Sequence, residues 1–346
     1  MNRRWICNDI WMDIFPHFDR RQLGLKLALL SPRFNALVDK HFDAKSELTL
    51  SRTIAIRKDI WMPKLFVLFG YDSVPFPMPD RSLPNKIRFA KLWIDYIDHS
   101  VIAFLRANQQ IFGKGINLRL IVSSHNNNYN NVQRILSVYV HAIFAIFAPN
   151  IRHLILADGV NLDKLLHLTS PKMLFDLNIN SINSGRLFPN AIDYGTLLLN
   201  EIALYKWLHI PTKDGQPKQL RCCTFTSEII ELVNNFKEAF FHAATSASYQ
   251  IQFTVYAPTE IAPFQLVNER TSEMLAMEKG FRGYVSVDWI IKRCPIGWTT
   301  AALKWEDEIW TISTMSSFRF MEIALGHCLH RQKKKKRTKR RKSGDF

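Results

Sequence analysis

Three groupings of side chains carry the residue types that could do chemistry. Cys222-Cys223 offers adjacent thiols, His327-Cys328 with His330 offers thiol and imidazole ligands, and Gly113-Lys114-Gly115 offers a glycine-flanked lysine. Pairs of such ligands at short, regular spacing close a tetrahedral zinc site, and a glycine-rich loop ending in lysine cradles phosphate. None of the three meets those requirements. Adjacent residues of a strand point to opposite faces, so Cys222 and Cys223 cannot share a metal there. His327, Cys328 and His330 lack a second ligand pair at the usual spacing. Gly113-Lys114-Gly115 is too short for a phosphate cradle and reads as a turn. The chain contains no His-Glu-x-x-His, no Gly-x-Ser-x-Gly and no Walker-type loop, and its 11 histidines are scattered. The expectation is a protein that is not an enzyme and takes no cofactor or metal.

The densest charge lies in the tail, where Lys333, Lys334, Lys335, Lys336 and Arg337 are followed by Lys339, Arg340, Arg341 and Lys342. Like-charge repulsion keeps such a run extended. Its density suits the acidic groove of an import receptor; the competing reading is non-specific affinity for polyanions such as RNA. The whole chain carries +16, but without residues 331–346 it has 36 basic against 29 acidic side chains, a net of +7. The folded part is therefore only mildly basic and gives little reason to expect a nucleic-acid surface.

Apolar residues make up 47% of the chain and charged residues 22%, the balance of a globular protein with a real core. The longest apolar run, 138–149, is broken by His141 and falls short of the roughly 20 residues of a membrane span, so it reads as a buried helix. Five cysteines, an odd number without a Cys-x-x-Cys pair, fit a reducing compartment, nucleus or cytoplasm. Residues 1–11 show no signal peptide.

The elements that must position any functional surface begin with three short helices between Ile6 and Phe42. Ile10, Trp11, Ile14, Phe15 and Phe18 form one face of the first. Asp19 stands where a cap belongs, before a second helix over 20–30 that carries Leu23, Leu25, Leu27, Ala28, Leu29 and Leu30. Ser31-Pro32 opens the third, serine as cap and proline at the first position. Phe34, Leu37, Val38 and His41 or Phe42 line its inner face. About 40 residues cannot bury this many large apolar side chains alone, so the surplus predicts a partner.

The order of these residues, above all Leu30-Ser31-Pro32-Arg33-Phe34-Asn35-Ala36-Leu37-Val38, resembles an F-box, in particular those of the expanded nematode F-box families. In those families a divergent C-terminal region follows. The resemblance implies docking onto the Skp-type adaptor, and through it a cullin, of a ubiquitin ligase. It implies Ile6, Ile10, Ile14, Phe18, Leu23, Leu27, Phe34 and Leu37 as adaptor-binding residues. Ile6-Cys7 replaces the family's Leu-Pro, and Pro16 falls inside the first helix, where it removes a backbone bond.

Residues 46–88 hold Pro63, Pro75, Pro77, Pro79 and Pro84 and read as a partly ordered linker. Beyond it, strand-like runs (92–94, 118–122, 154–156, 177–179) alternate with helix-like ones (101–112, 132–147, 229–243), which argues α/β with parallel strands. An apolar-x-x-apolar-x-apolar pattern begins at Ile151, Leu174, Leu199 and Leu220, at the spacing of leucine-rich repeats. Strands at 250–256, 264–268, 274–278, 284–287 and 289–293 read as a β-meander, with a closing helix over 301–310.

The expected architecture is α+β or α/β. It comprises a three-helix segment (1–45), a linker (46–88), a degenerate leucine-rich-repeat-like α/β region (89–248), a β-meander with closing helix (249–330) and a basic tail (331–346). The expected function is a substrate-recognition adaptor of a Skp–cullin–F-box ligase. It would hold a target protein through its C-terminal domain and touch no membrane. The alternatives are a nuclear nucleic-acid-associated protein acting through the tail and a ligase-independent repeat scaffold.

Overall fold

A computed structural model describes residues 7–18, 22–43, 48–58, 63–69, 72–79, 82–83, 87–122, 129–157, 160, 162–191, 199–224, 229–255, 261–282 and 287–297. Helix α1 (Asn8–Ile14) runs into a 3-10 turn, Phe15–His17, because Pro16 has no N–H to extend the α-helical ladder. Helix α2 (23–30) starts as a π-helical stretch, Leu23–Leu27, and ends as an α-turn at Leu30. Helix α3 (Pro32–Asp43) begins with proline at its first position, and the Ser31 hydroxyl accepts the Phe34 amide at 3.2 Å, as its sequence requires.

Then follow β1 (Leu48–Lys58), β2 (Pro63–Phe69), β3 (Asp72–Pro77) and β4 (Ile87–Ile94). Five strands come after them, β5 (Phe112–Ile121), β6 (Ile151–Ala157), β7 (Ser181–Gly185), β8 (Lys218–Thr224) and β9 (Tyr249–Val255). They are joined by α4 (His99–Ala107), α5 (129–147), α6 (Leu162–Leu168) with α7 (Met173–Asp176), α8 (Leu199–Leu208) and α9 (Ile229–Phe241). Strands β10 (Phe264–Asn268), β11 (Glu273–Arg282) and β12 (Val287–Pro295) complete the order.

All twelve strands belong to one sheet, ordered β10-β11-β12-β9-β8-β7-β6-β5-β4-β1-β2-β3. From β1 through β4 to β9 every neighbouring pair is parallel, and the order from β4 to β9 never reverses. Crossovers between parallel strands are right-handed, so an unreversed order puts each connecting helix on the same face. One register row shows what that face requires. Val67, Ile54, Leu92, Leu118, Leu154, Ile182, Leu220, Ile251, Ile291 and Met277 stand side by side across ten strands, and all are buried. Burial of such a row, about 1.5–3 kcal/mol per large aliphatic side chain, is the main cohesion of the sheet.

Several expectations need correction. The segment 46–88 is no linker: it supplies β1, β2, β3 and the start of β4. Its prolines misled because they occupy places where a strand tolerates them. Pro63 opens β2, and Pro75 and Pro77 lie on β3, an edge strand of the sheet. The short repeat spacing also fails. Leu199–Leu208 is a helix, and the strand expected over 177–179 instead forms at Ser181–Gly185. Successive residues of the core row between Leu92 and Ile251 are 26 to 38 residues apart, since each crossover contains helix. Strand β9 is parallel to β8 and antiparallel to β12, so no boundary at 248 divides the sheet. The strand expected over 274–278 continues through Lys279-Gly280, which lie inside β11 at a register shift. Gly113-Lys114-Gly115 falls within β5, where the pairing with β4 slips and Gly115 takes φ +84°.

Candidate interaction surfaces

The helical segment is held by its own side chains. Phe15, Leu23, Ala28, Leu37, Val38 and Phe42 are buried. Trp11 meets Phe34 edge-on at 4.9 Å and Phe15 at 6.2 Å, and His41 meets Phe15 edge-on at 5.6 Å. Among the side chains these contacts leave outside are three large apolar ones: Ile10 is 51% exposed, Phe18 36% and Leu30 67%. Ile14 and Leu27 are half-buried.

Of the residues implied for adaptor docking, Ile10 and Phe18 are therefore on the surface, and Ile14, Leu27 and Phe34 are partly so. Leu23 and Leu37 are not. Both are interior residues whose burial holds the three helices together, which corrects their assignment as contact residues. Ile6 lies outside the described residues, as do Asp19, the 301–310 helix, His327-Cys328 with His330, and the basic tail from Lys333 to Lys342. Leu30 is the surface residue the sequence reading passed over. The signal was present, because a helix apolar around most of its circumference must expose part of it.

A second surface is the face of the sheet opposite the core row. Side chains alternate along a strand, so the residues flanking that row point away from the helices. One flanking row reads Lys91, Asn117, His153, Ser181, Gln219 and Gln250 across β4 to β9; the other reads Trp93, Arg119, Ile155, Asn183, Arg221 and Gln252. Neither row contains a carboxylate. Asn117, Arg119, His153, Ile155 and Ser181 are buried, whereas the positions on β7 to β9 beyond Ser181 are half-exposed. The Arg119 guanidinium lies 4.8 Å from the Trp93 ring centroid, a cation–π contact. Burial, with Arg152 and Lys91 nearby, holds the His153 imidazole down at about 4, so it is neutral at pH 7.

A buried ion pair, Glu273–Arg293, anchors a third cluster on the core side of the sheet. Glu273 and Arg293 are 2% and 1% exposed. Arg293 donates to Glu273 Oε2 from Nε at 3.0 Å and Nη2 at 2.7 Å, and also to the Thr245 carbonyl at 2.8 Å. Glu273 Oε1 accepts the Ala247 amide at 2.7 Å. His209 Nε2 lies 3.1 Å from Arg293 Nη1, which can only donate. Nε2 must then accept, so Nδ1 carries the proton and donates to the Tyr205 carbonyl at 2.9 Å. Nearby, Lys218 donates to the Ile179 carbonyl and sits 4.7 Å from the Trp207 ring centroid. Burial depresses its ammonium to about 8. A perturbed lysine beside a histidine can mark a catalytic site. Here, however, Lys218 is 5% exposed, and the Glu273–Arg293 pair is matched atom for atom by internal partners. This cluster is a structural lock joining α8, α9, β11 and β12.

Cys222 is buried on the core side, and Cys223 turns the other way to donate to the Gly185 carbonyl at 3.3 Å, so the two thiols point apart as strand geometry dictates. An open cavity of about 670 Å³ between α6 and α8 is lined by Asp163, His167, Arg186 and Glu201 among others. Burial, with the charge of Asp163, raises the Glu201 carboxyl. His167 Nε2 lies 3.5 Å from Asp163 Oδ1, while Asn200 donates to that oxygen at 2.8 Å. Among the described residues, no three His, Cys, Asp or Glu side chains converge as a metal site would need. Comparison of the chain with protein-family models, curated proteins and solved structures finds no match.

Helix α5 belongs to the stretch Val132–Asn150, which is long and apolar enough to cross a membrane by length and composition. Its tertiary role is that of a crossover. Tyr139, fully buried, points its hydroxyl at the carbonyls of Ile121 (2.7 Å) and Ile94 (3.1 Å), which ties the helix to the ends of β5 and β4.

Proposed function

We propose that the protein is a substrate-recognition adaptor of a Skp–cullin–F-box type ubiquitin ligase. The observation that carries this reading is the helical segment: it keeps Ile10, Phe18 and Leu30 exposed beside half-buried Ile14 and Leu27. Three exposed large apolar groups on so small a unit are more than its own packing uses, and apolar surface of that kind suits a protein partner. They lie within the stretch whose sequence resembles an F-box. In this reading α1 to α3 dock on the Skp-type adaptor, and the sheet-containing region holds a target protein. No side chain performs covalent chemistry. The rate of ubiquitin transfer rises because the target is held near the charged conjugating enzyme, a proximity effect. The basic tail, in the same reading, serves nuclear import.

The test is co-expression of the full chain with a Skp-type adaptor and purification of the complex, comparing wild type with Ile10→Asp and Leu30→Asp. These positions are exposed, so the substitutions leave the helical core intact. A saturable 1:1 complex that both variants weaken at least tenfold supports the reading. An adaptor that never co-purifies, with a chain that is monodisperse alone, gives the lead to the ligase-independent scaffold.

A further inference from the structure

We infer that β10 is an open edge of the sheet at which an extended segment of a target protein adds a further strand. This rests on the reading of the sheet region as the target-binding part of the chain. The sheet order ends in β3 on one side and in β10 on the other. The two edges are built differently. Strand β3 holds Pro75 and Pro77, and a proline has no N–H to offer a further strand. Strand β10, Phe264-Gln265-Leu266-Val267-Asn268, holds neither proline nor charge. Among the described residues it pairs with β11 alone, antiparallel and in unbroken register from Phe264↔Met277 to Asn268↔Glu273. In such a pair alternate residues bond to the neighbouring strand, and those between turn their N–H and C=O outward. Val267 is 47% exposed and Gln265 is exposed as well, so solvent reaches the strand.

The side chains around the edge select the occupant. Phe264 and Leu266 stand in register with the buried Met277 and Leu275, on the core side of the sheet, yet are themselves only half-buried. An added strand completes their cover with apolar side chains at alternate positions, while its backbone bonds to the outward groups of β10. Lys237 of α9 rests its ammonium 4.4 Å from the Phe264 ring centroid and has no ion pair among the described residues. Glu238, next on the helix, turns to His242 at 3.9 Å. A carboxylate at the end of the added strand beside Phe264 meets that ammonium. The occupant is therefore an extended segment with alternating apolar residues and a terminal acid. A second copy of this chain fits less well. Its own β10 brings no carboxylate to Lys237, and a strand of five residues, about 17 Å long, is too narrow a contact for the roughly 800 Å² per partner of a stable interface.

The experiment uses the full chain, in complex with the adaptor where one forms. The probe is fluorescein-labelled Asp-Thr-Val-Thr-Val-Thr-Asp, whose two terminal acids bring one to Lys237 in either strand direction. Two further forms carry N-methyl groups on both valines or on the first two threonines. Each blocks one edge of the extended peptide and leaves its charge unchanged. The expected result is saturable binding of the unmethylated probe, lost at least tenfold in one methylated form and kept within about twofold in the other. Capture by the basic tail would treat all three alike. Lys237→Gln weakens the probe severalfold, whereas Lys172→Gln, which removes the same charge at an exposed site elsewhere, leaves it unchanged. Absence of saturable binding, equal binding of all three forms, equal loss in both methylated forms, or equal effects of the two lysine variants each overturns the proposal. So does a chain whose own dimerisation excludes the probe. Adaptor co-purification is scored on the same preparations. An adaptor retained without edge-selective binding sinks this inference alone, and edge-selective binding without adaptor sinks the ligase reading alone.

Discussion

Arg33 on α3 donates from both Nε, at 2.9 Å, and Nη2, at 2.6 Å, to the Oδ1 of Asn8 on α1. The two residues lie 25 positions apart, so this link closes the helical segment on itself. Asn8 and Arg33 both belong to the stretch that resembles an F-box, which gives their residue types a mechanical reason.

Removing that link should loosen the segment without unfolding the sheet. A hydrogen bond from a charged donor at a partly exposed site contributes about 1 kcal/mol. Arg33→Ala should therefore raise the rate of limited proteolysis within residues 7–43 by about fivefold, with the cleavage rate of the sheet region unchanged. Arg33→Lys should behave like Arg33→Ala, since one ammonium cannot reproduce the two-pronged contact. An Arg33→Ala protein cut at the wild-type rate would show that aromatic packing around Trp11 suffices.

The Glu273–Arg293 lock makes the opposite kind of prediction, because it is buried. Removing one partner strands a charge away from water and costs about 3–5 kcal/mol. Glu273→Gln and Arg293→Met should each lower the urea midpoint strongly. The double variant should cost less than the sum of the two, since no lone charge remains. Additive losses across this cycle would mean that Thr245, Ala247 and His209, rather than the ion pair, hold the junction.

Gly115 takes φ +84°, a conformation disfavoured for any residue with a Cβ, and such a Cβ would sit 3.5 Å from Arg152 Cδ. Space is available, so the cost is conformational. Gly115→Ala should lose about 1 kcal/mol, and Gly113→Ala, with nothing within 4 Å and no positive φ, should lose less. Equal urea midpoints for the two variants would remove the backbone argument.

Much of the fold was legible because periodicity reports burial directly. The runs expected as strands at 118–122 and 154–156 fall in β5, which ends at Ile121, and in β6, and the helices near 101, 132 and 229 appear where apolar spacing placed them. The losses have physical causes. Prolines in β2 and β3 looked like loop residues because the sequence does not reveal which strand will be an edge. The repeat spacing failed at Leu199 because an apolar-x-x-apolar-x-apolar run satisfies both strand and helix, and its helix, α8, is apolar on most sides. The polar face of the sheet was invisible for a related reason. Gln219, Gln250 and Asn183 are far apart in sequence, and only the register makes them neighbours. In the helical segment, type and spacing identified the apolar set. They did not divide the interior Leu23 and Leu37 from the exposed Ile10 and Leu30.

Acid should destabilise the protein well above the range in which carboxylates titrate. His153 is 8% exposed, and its imidazole is held from the usual 6.5 down to about 4, first by burial and then by Arg152 and Lys91. His209 is lowered as well, mainly by burial and in part by Arg293, and its Nε2 acceptor role would be lost on protonation. The folded state thus binds fewer protons than the unfolded one below 6.5, so stability rises with pH there and is lost as pH falls. For His153, a displacement from 6.5 to about 4 corresponds to a loss of about 2 kcal/mol between pH 7 and pH 5. Asp98 and Asp214, both lowered, add their losses only below about pH 4, outside this window. Glu201, raised by burial, has the opposite sign and offsets a part. Urea unfolding at pH 7, 6 and 5 measures the slope. His153→Gln should flatten it by more than half, and His209→Gln by a further amount. A wild-type protein equally stable at pH 5 and pH 7 would place a carboxylate, or water, against His153 in solution.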